Sequence, residues 1–425
     1  MENNFILYSI YLLYAFGVVT YCTVKLVRAM KEINKNNLLI QFFVFMLFYL
    51  FYVLPIVTNI LYPDYHYESF YQADDAMRDY FSNLIYLLFV HIFSYLIINS
   101  ARKDNKIEKK GLVVNPGLVN ICTIVIILCF IITLIVSGIQ SLLGGYGYAY
   151  INQDINVNEG VIGCGIMSYL VVLGHAKIVS KLRIFLLTII VLCFFWIVGK
   201  RYIIAETLIM SLCVLGLTGN MSGKRMMKSL VLSGILIVAL GFIYGVFFKE
   251  NVSSFLDYIN VDFSRQYTLV YQFYCEKIGR HISPNPFDGI LFVLTFFIPR
   301  FVWPDKPYPF VNYLTLSLCG QEEVDFVNAG WATTCSIFSD LFDSFSYFGI
   351  ILGFIVFIKL FHKINIENRI HYKVIFVYIA VRLLTVQISS AIVQISIILI
   401  LLFIAEIFTK KVRLKDILIT KKLHQ

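Results

Sequence analysis

The sequence predicts an all-α polytopic membrane protein of about eleven transmembrane helices with one large external loop. Three observations carry this reading. Of 425 residues, 59% are apolar and 14% charged, against roughly 45–50% and about 25% in soluble domains, and the mean hydropathy is +0.79. Apolar runs long enough to cross a bilayer recur along the whole chain. Lys and Arg gather in alternate connectors, the pattern of cytoplasmic loops. A soluble globular enzyme is thereby excluded. The net charge of +9 reflects those connectors and gives no reason to expect a nucleic-acid partner.

Taken in order, spans are expected at 5–24, 38–61, 81–100, 117–137, 160–176, 184–198, 202–218, 229–248 and 347–361. The stretch 374–408 is too long for one helix and is expected to fold as two, turning near Gln387–Ser390. The start, MENNF, lacks a basic leader region, so the first apolar run is taken as the first span. Basic connectors at 25–35, 102–110, 177–183, 224–228, 359–373 and 410–422 hold 25 of the 35 Lys and Arg. With eleven spans they fall on one face, which puts the N-terminus outside and the C-terminus in the cytoplasm. The opposite face collects about 20 of the 26 carboxylates, including those of PDYHYESFYQADDAMRDY. The chain thus divides into eight spans over 1–248, an external loop over 249–346, and three spans with a basic tail over 347–425. The nine cysteines lie mostly in apolar runs and show no CxxC spacing, leaving room for one disulfide at most and no zinc site.

The external loop is 98 residues long, and loops beyond about 15 residues in a compact protein generally have a function or are disordered. Phe255, Ile259, Phe263, Tyr267 and Tyr271 recur at i+4, which predicts an amphipathic helix lying at the membrane interface. Six of the nine prolines fall between Pro284 and Pro309. They flank GILFVLTFFIP, a run too short to span, which is expected to re-enter the membrane or lie flat.

Ten basic residues are left on the external face: Arg78, Lys200, Arg201, Lys249, Arg265, Lys277, Arg280, Arg300, Lys306 and Arg382. Charges at membrane depth face a cavity or a partner. Each can pair with a carboxylate such as Asp262 or Glu206, or the group can converge on a diphosphate, which Arg grips bidentately. Loop aromatics such as Trp303, Tyr308, Tyr313 and Trp331 have the shape to stack on sugars, although most aromatics here suit lipid or interfacial positions. No P-loop or dinucleotide fingerprint is present, and His281 is a lone external imidazole, so neither cofactor nor metal is expected.

FFIPRFVWPDKPYPFVNYLTLSL followed by NAGWATTCSIFSDLFDSFSYFGIILGF resembles the Wzy family of bacterial O-antigen and capsular repeat-unit polymerases. The matching features are Pro299, Arg300, Trp303, Pro304, Lys306, Pro307, Thr333, Thr334, Asp340 and the Phe348-Gly349 pair. VDFSRQYTL resembles the family's Asp-Phe-x-Arg element at Asp262, Phe263 and Arg265, and GKR resembles its Gly-x-Arg at Arg201, with Tyr202 where a second Gly is usual. At 340 the family often has Glu, and Asp343 stands close by. The resemblance covers roughly 260–355 and implies a membrane glycosyltransferase (GT-C-like) architecture in the bacterial plasma membrane.

It also implies the reaction: a growing glycan leaves its polyprenyl-pyrophosphate carrier and is transferred to a lipid-linked repeat unit outside the cell, with no metal or nucleotide sugar. Donor and acceptor are then both lipid-linked, and a chain-length regulator and a flippase are natural partners. Arg265, Arg300, Arg201 and Lys306 would stabilise the departing diphosphate. Asp340, with Asp262 and Asp343 behind it, would take the acceptor's proton, and Trp303, Thr333 and Thr334 would contact substrate. A ligase of the same superfamily would share these features. A flippase would rather show related halves and broken helices at mid-membrane.

Overall fold

The computed structural model describes residues 2–32, 39–67, 70–103, 113–143, 159–198, 201–218, 225–226, 228–233, 258–321, 333–408 and 412–413. Long apolar runs leave the backbone no hydrogen-bond partner in lipid except itself, so they become helices. In chain order these are α1 (Glu2–Glu32), α2 (Leu39–Leu61), α3 (Gln72–Arg78), α4 (Tyr80–Lys103) and α5 (Pro116–Ser137). Then come α6 (Glu159–Gly174), α7 (Lys181–Val198) and α8 (Arg201–Leu217). Within the long loop lie α9 (Gln266–Lys277), α10 (Asp288–Leu294), α11 (Phe310–Leu318) and α12 (Ile337–Phe345). The chain closes with α13 (Tyr347–Ile366), α14 (Ile370–Thr385) and α15 (Ile388–Phe408).

The protein is a helical membrane protein. Among the described residues, α1, α2, α4, α5 and α13 are long and apolar enough to cross a bilayer. The apolar helices Gly160–Gly174, Ile203–Leu217 and Ile388–Ile400 are shorter. Side chains such as Leu13, Phe16 and Ile135 stand fully outward, as lipid-facing residues do. The span expected at 229–248 falls mostly outside the described residues. The expected hairpin at 374–408 is present, broken at Val386–Gln387, with its first helix starting earlier, at Ile370. The nine cysteines are free.

The chain forms two compact units. One comprises Met1–Lys103, Gly241–Phe361 and Ala380–Ile392. Its centre is an aromatic stack from α2, α4, α12 and α13. The Phe338 ring lies 4.8 Å from Phe89 and 4.9 Å from Phe93, and Phe93 lies 5.0 Å from Phe357 and 5.1 Å from Phe48. The corner between α12 and α13 is tight. Ser346 turns it with φ +52°, and Gly349 lets the first turn of α13 press on the Leu341 carbonyl, where a Cβ would collide.

The other unit comprises Asp104–Leu240, His362–Ile379 and Val393–Gln425. Here α5 packs along α6, and α6 also meets α7 and α8. Asn115 caps α5 by accepting from the Leu118 N–H at 3.2 Å, with Pro116 preset at the first helical position. Val113–Val114 pairs antiparallel with Val412–Arg413, the one short strand pair among the described residues.

The interfacial helix expected from Phe255 to Tyr271 is not what forms among the described residues. A π-helix over Tyr258–Phe263 ends at Ser264–Arg265, and α9 begins afresh at Gln266. Residues 266–273 are all buried, because α3, α4 and α12 pack around α9. Ile259, Phe263, Tyr267 and Tyr271 are thus core residues on two separate helices, not one face of a surface helix, and Phe255 lies outside the described residues.

Candidate functional site

The break between α14 and α15 lies within an apolar hairpin. Such a break leaves the last carbonyls of one helix and the first amides of the next without helical partners. Three side chains of the first unit meet them. Arg265 donates from Nε and Nη2 to the Thr385 carbonyl at 2.9 and 2.7 Å. Tyr52 donates its hydroxyl to the Leu384 carbonyl at 2.8 Å. The Ile388 N–H, at the start of α15, donates to Asp340 Oδ2 at 2.6 Å. The signs suit the helix dipoles: a cation at the C-terminus of α14 and a carboxylate at the N-terminus of α15.

Arg265 reaches this place through a proline. Pro55 has no N–H, so the helical ladder cannot close on Phe51, four residues back. The turn widens into a π stretch over Tyr49–Val53, and the Phe51 carbonyl accepts the backbone N–H of Arg265 at 3.0 Å. The guanidinium then lies over the Phe51 ring at 4.9 Å and also donates to the Ser264 carbonyl at 2.9 Å. Neighbouring bonds fasten the same segment: Thr58 to Asn260, and Asn59 Nδ2 to Gln266 Oε1 at 2.9 Å.

Thr333 is held against α9 and α11. It is buried; its hydroxyl meets that of Tyr267, and its N–H donates to Thr315 Oγ1 at 2.9 Å. The Cys335 thiol is raised by burial and by Asp340 and lowered by Arg265, so both charges act on one buried sulfur. Asp340 itself is buried, which raises its carboxyl to about 7 against the pull of the Ile388 N–H, with Asp343 adding to the rise. Asp343 is only half-buried. It accepts from Ser283 Oγ at 2.7 Å, and burial together with Asp288 brings it to about 7 despite the Ser283 bonds.

Arg300 and Lys306 form a second group, in the proline-rich turn after α10. Arg300 donates from Nη1 to the Lys306 carbonyl at 2.6 Å and from Nη2 to the Pro307 carbonyl at 3.1 Å, and stacks on Tyr308 at 3.8 Å. Lys306 donates to the Phe296 and Ile298 carbonyls at 3.3 and 3.0 Å, over the Phe292 ring. Burial and the nearby Arg300 lower its pKa. The Tyr308 N–H donates to the Tyr313 hydroxyl at 3.0 Å, so both tyrosines shape this loop, while Trp303 and Thr334 are half-buried.

Arg265, Arg300 and Lys306 donate to backbone carbonyls, whereas Lys277 pairs with Asp79 at 2.6 Å. The side chains of Asp262 and Arg201, and all of Trp331, Lys200 and Lys249, lie outside the described residues. Sequence reasoning passed over Tyr52, Pro55, Ser283 and Thr385. A proline inside an apolar run was the available signal for Pro55; the other three carry none. Among the described residues no group of three or more His, Cys, Asp or Glu is placed to hold a metal ion. Comparison of the chain with protein-family models, with curated proteins and with solved structures finds no match.

Proposed function

We propose that the chain is a membrane glycosyltransferase of the O-antigen or capsule polymerase kind, acting on polyprenyl-pyrophosphate-linked repeat units at the outer face of a bacterial plasma membrane. The observation that carries this reading is the convergence of Arg265 and Asp340, residues of the Wzy-like motifs, on one helix break, with Thr333 bonded to Tyr267 two residues after Arg265 and a second carboxylate, Asp343, acting on Asp340. In the reaction the acceptor hydroxyl attacks the sugar C1 of the donor. The bond from C1 to the diphosphate oxygen breaks, the diphosphate leaves with the electron pair, and the hydroxyl proton passes to a carboxylate. Asp343 suits that last task better than Asp340. Both carboxyls lie near 7, as a general base needs at neutral pH, but Asp343 is only half-buried whereas Asp340 is buried against the Ile388 N–H. Asp340 then positions α15. Arg300, half-exposed and held by its loop, offers the remaining guanidinium edge to the diphosphate.

A second reading, a flippase for the same lipid-linked unit, draws support from the broken apolar hairpin, because transporters build sites at such helix ends. One assay separates them. Purified protein in vesicles is given the lipid-linked units that accumulate when the chain is deleted, with no nucleotide sugar. An oligomer ladder is expected, and Asp343→Asn should slow it by about 10²–10⁴-fold. Movement of single units across the vesicle without any ladder would replace the polymerase by the flippase, and a ladder indifferent to Asp343→Asn would remove the base assignment.

A further inference from the structure

The segment from α10 to the Pro299 turn has its polarity reversed. Its cations turn onto its own backbone: Lys306 is buried, and with the half-buried Arg300 it supplies donors to four carbonyls of non-helical backbone, at residues 296, 298, 306 and 307. Its large apolar side chains point outward. Phe301 is 86% exposed and Phe297 69%, and Leu294 and Val302 are also exposed. In water this arrangement would be costly on both counts. In lipid both parts are favourable, since irregular backbone needs internal donors where no water reaches it and exposed apolar side chains lose no contacts.

The segment also begins against the approach to a spanning helix. Phe287, at the start of α10, packs its ring on Phe345 at 5.6 Å, two residues before α13 begins. Phe348 and Ile351 on α13 are exposed in turn. We infer that residues 288–303 are immersed in the interfacial layer of the bilayer beside the end of α13, with Arg300 and Lys306 taking the place of water for the loop's carbonyls. The occupant of this surface is ordinary bilayer lipid, and the inference stands whether or not the chain is a polymerase.

The test uses the full chain in phosphatidylcholine vesicles, with and without bromine on the acyl chains. Trp196, Trp303 and Trp331 are replaced by Phe, and a single reporter is introduced by Phe301→Trp, by Phe297→Trp, or by His281→Trp at an exposed site before the loop. Emission from positions 301 and 297 should fall by half or more with brominated lipid and respond little to aqueous iodide, with the reverse at 281. Two loop positions are used so that one badly folded variant does not decide the outcome. Iodide quenching at 301 and 297 without bromolipid quenching would overturn the inference and mark the loop as an aqueous or protein-facing surface.

Discussion

Two substitutions at position 340 separate a helix cap from a base. Asparagine keeps a side-chain oxygen for the Ile388 N–H, whereas alanine removes it. If Asp340 positions α15, Asp340→Asn should retain folding and most polymer synthesis, while Asp340→Ala should cost about 1–2 kcal/mol, the usual loss for a missing cap. Thermal unfolding in detergent, run beside the ladder assay, reads both. The pH dependence follows from the same residues. Asp340 and Asp343 titrate near 7 in the folded protein, above their ordinary carboxylate value, so the folded state binds their protons more tightly than the unfolded chain does. Their contribution is therefore complete below about pH 4 and is lost as pH rises through about 7. The unfolding midpoint should fall across that window and level off above it, and Asp340→Asn should flatten the fall.

At the scale of elements, the α12–α13 corner gives a sharp case. The Phe348-Gly349 pair has a physical basis: a Cβ at 349 would collide with the Leu341 carbonyl, and one at 353 would lie 2.6 Å from the Phe338 ring. Gly349→Ala must push backbone against backbone, so it should destabilise by about 1–3 kcal/mol or more and separate Phe338 from its neighbours, measurable as a lower unfolding midpoint. The helices themselves were legible because lipid admits little else for an apolar run. The run at 38–61 became α2, and that at 117–137 became α5 almost to the residue. What could not be read was where the long loop goes. Tyr267 and Tyr271 have the spacing of a surface helix, yet packing from α3, α4 and α12 buries all of 266–273, leaving only the last turn of α9 exposed. The partners of Arg265 were equally hidden. Composition marked it as a misplaced cation, but a bond to a carbonyl 120 residues away leaves no periodic trace.

For the whole molecule, the bonds that close the α14–α15 break are also an order of assembly. Arg265 emerges 120 residues before the Thr385 carbonyl that receives it, and Asp340 emerges 48 before Ile388. Until Ala380–Ile392 arrives, Arg265 lacks the Thr385 carbonyl that receives its guanidinium, at a cost of roughly several kcal/mol for a buried cation, and Asp340, without the Ile388 N–H, is held protonated. The second unit likewise takes in residues from 393 onward, and Val412–Arg413 pairs with a segment made three hundred positions earlier. A chain stopped at Ile379 should therefore be cleared by membrane proteases although most of its helices are present, and a pulse-chase comparison with the full chain measures this. The translating ribosome is thus still attached while these bonds are unmade, so this protein must stay with the insertion machinery at least until Ala380–Ile392 has been synthesised.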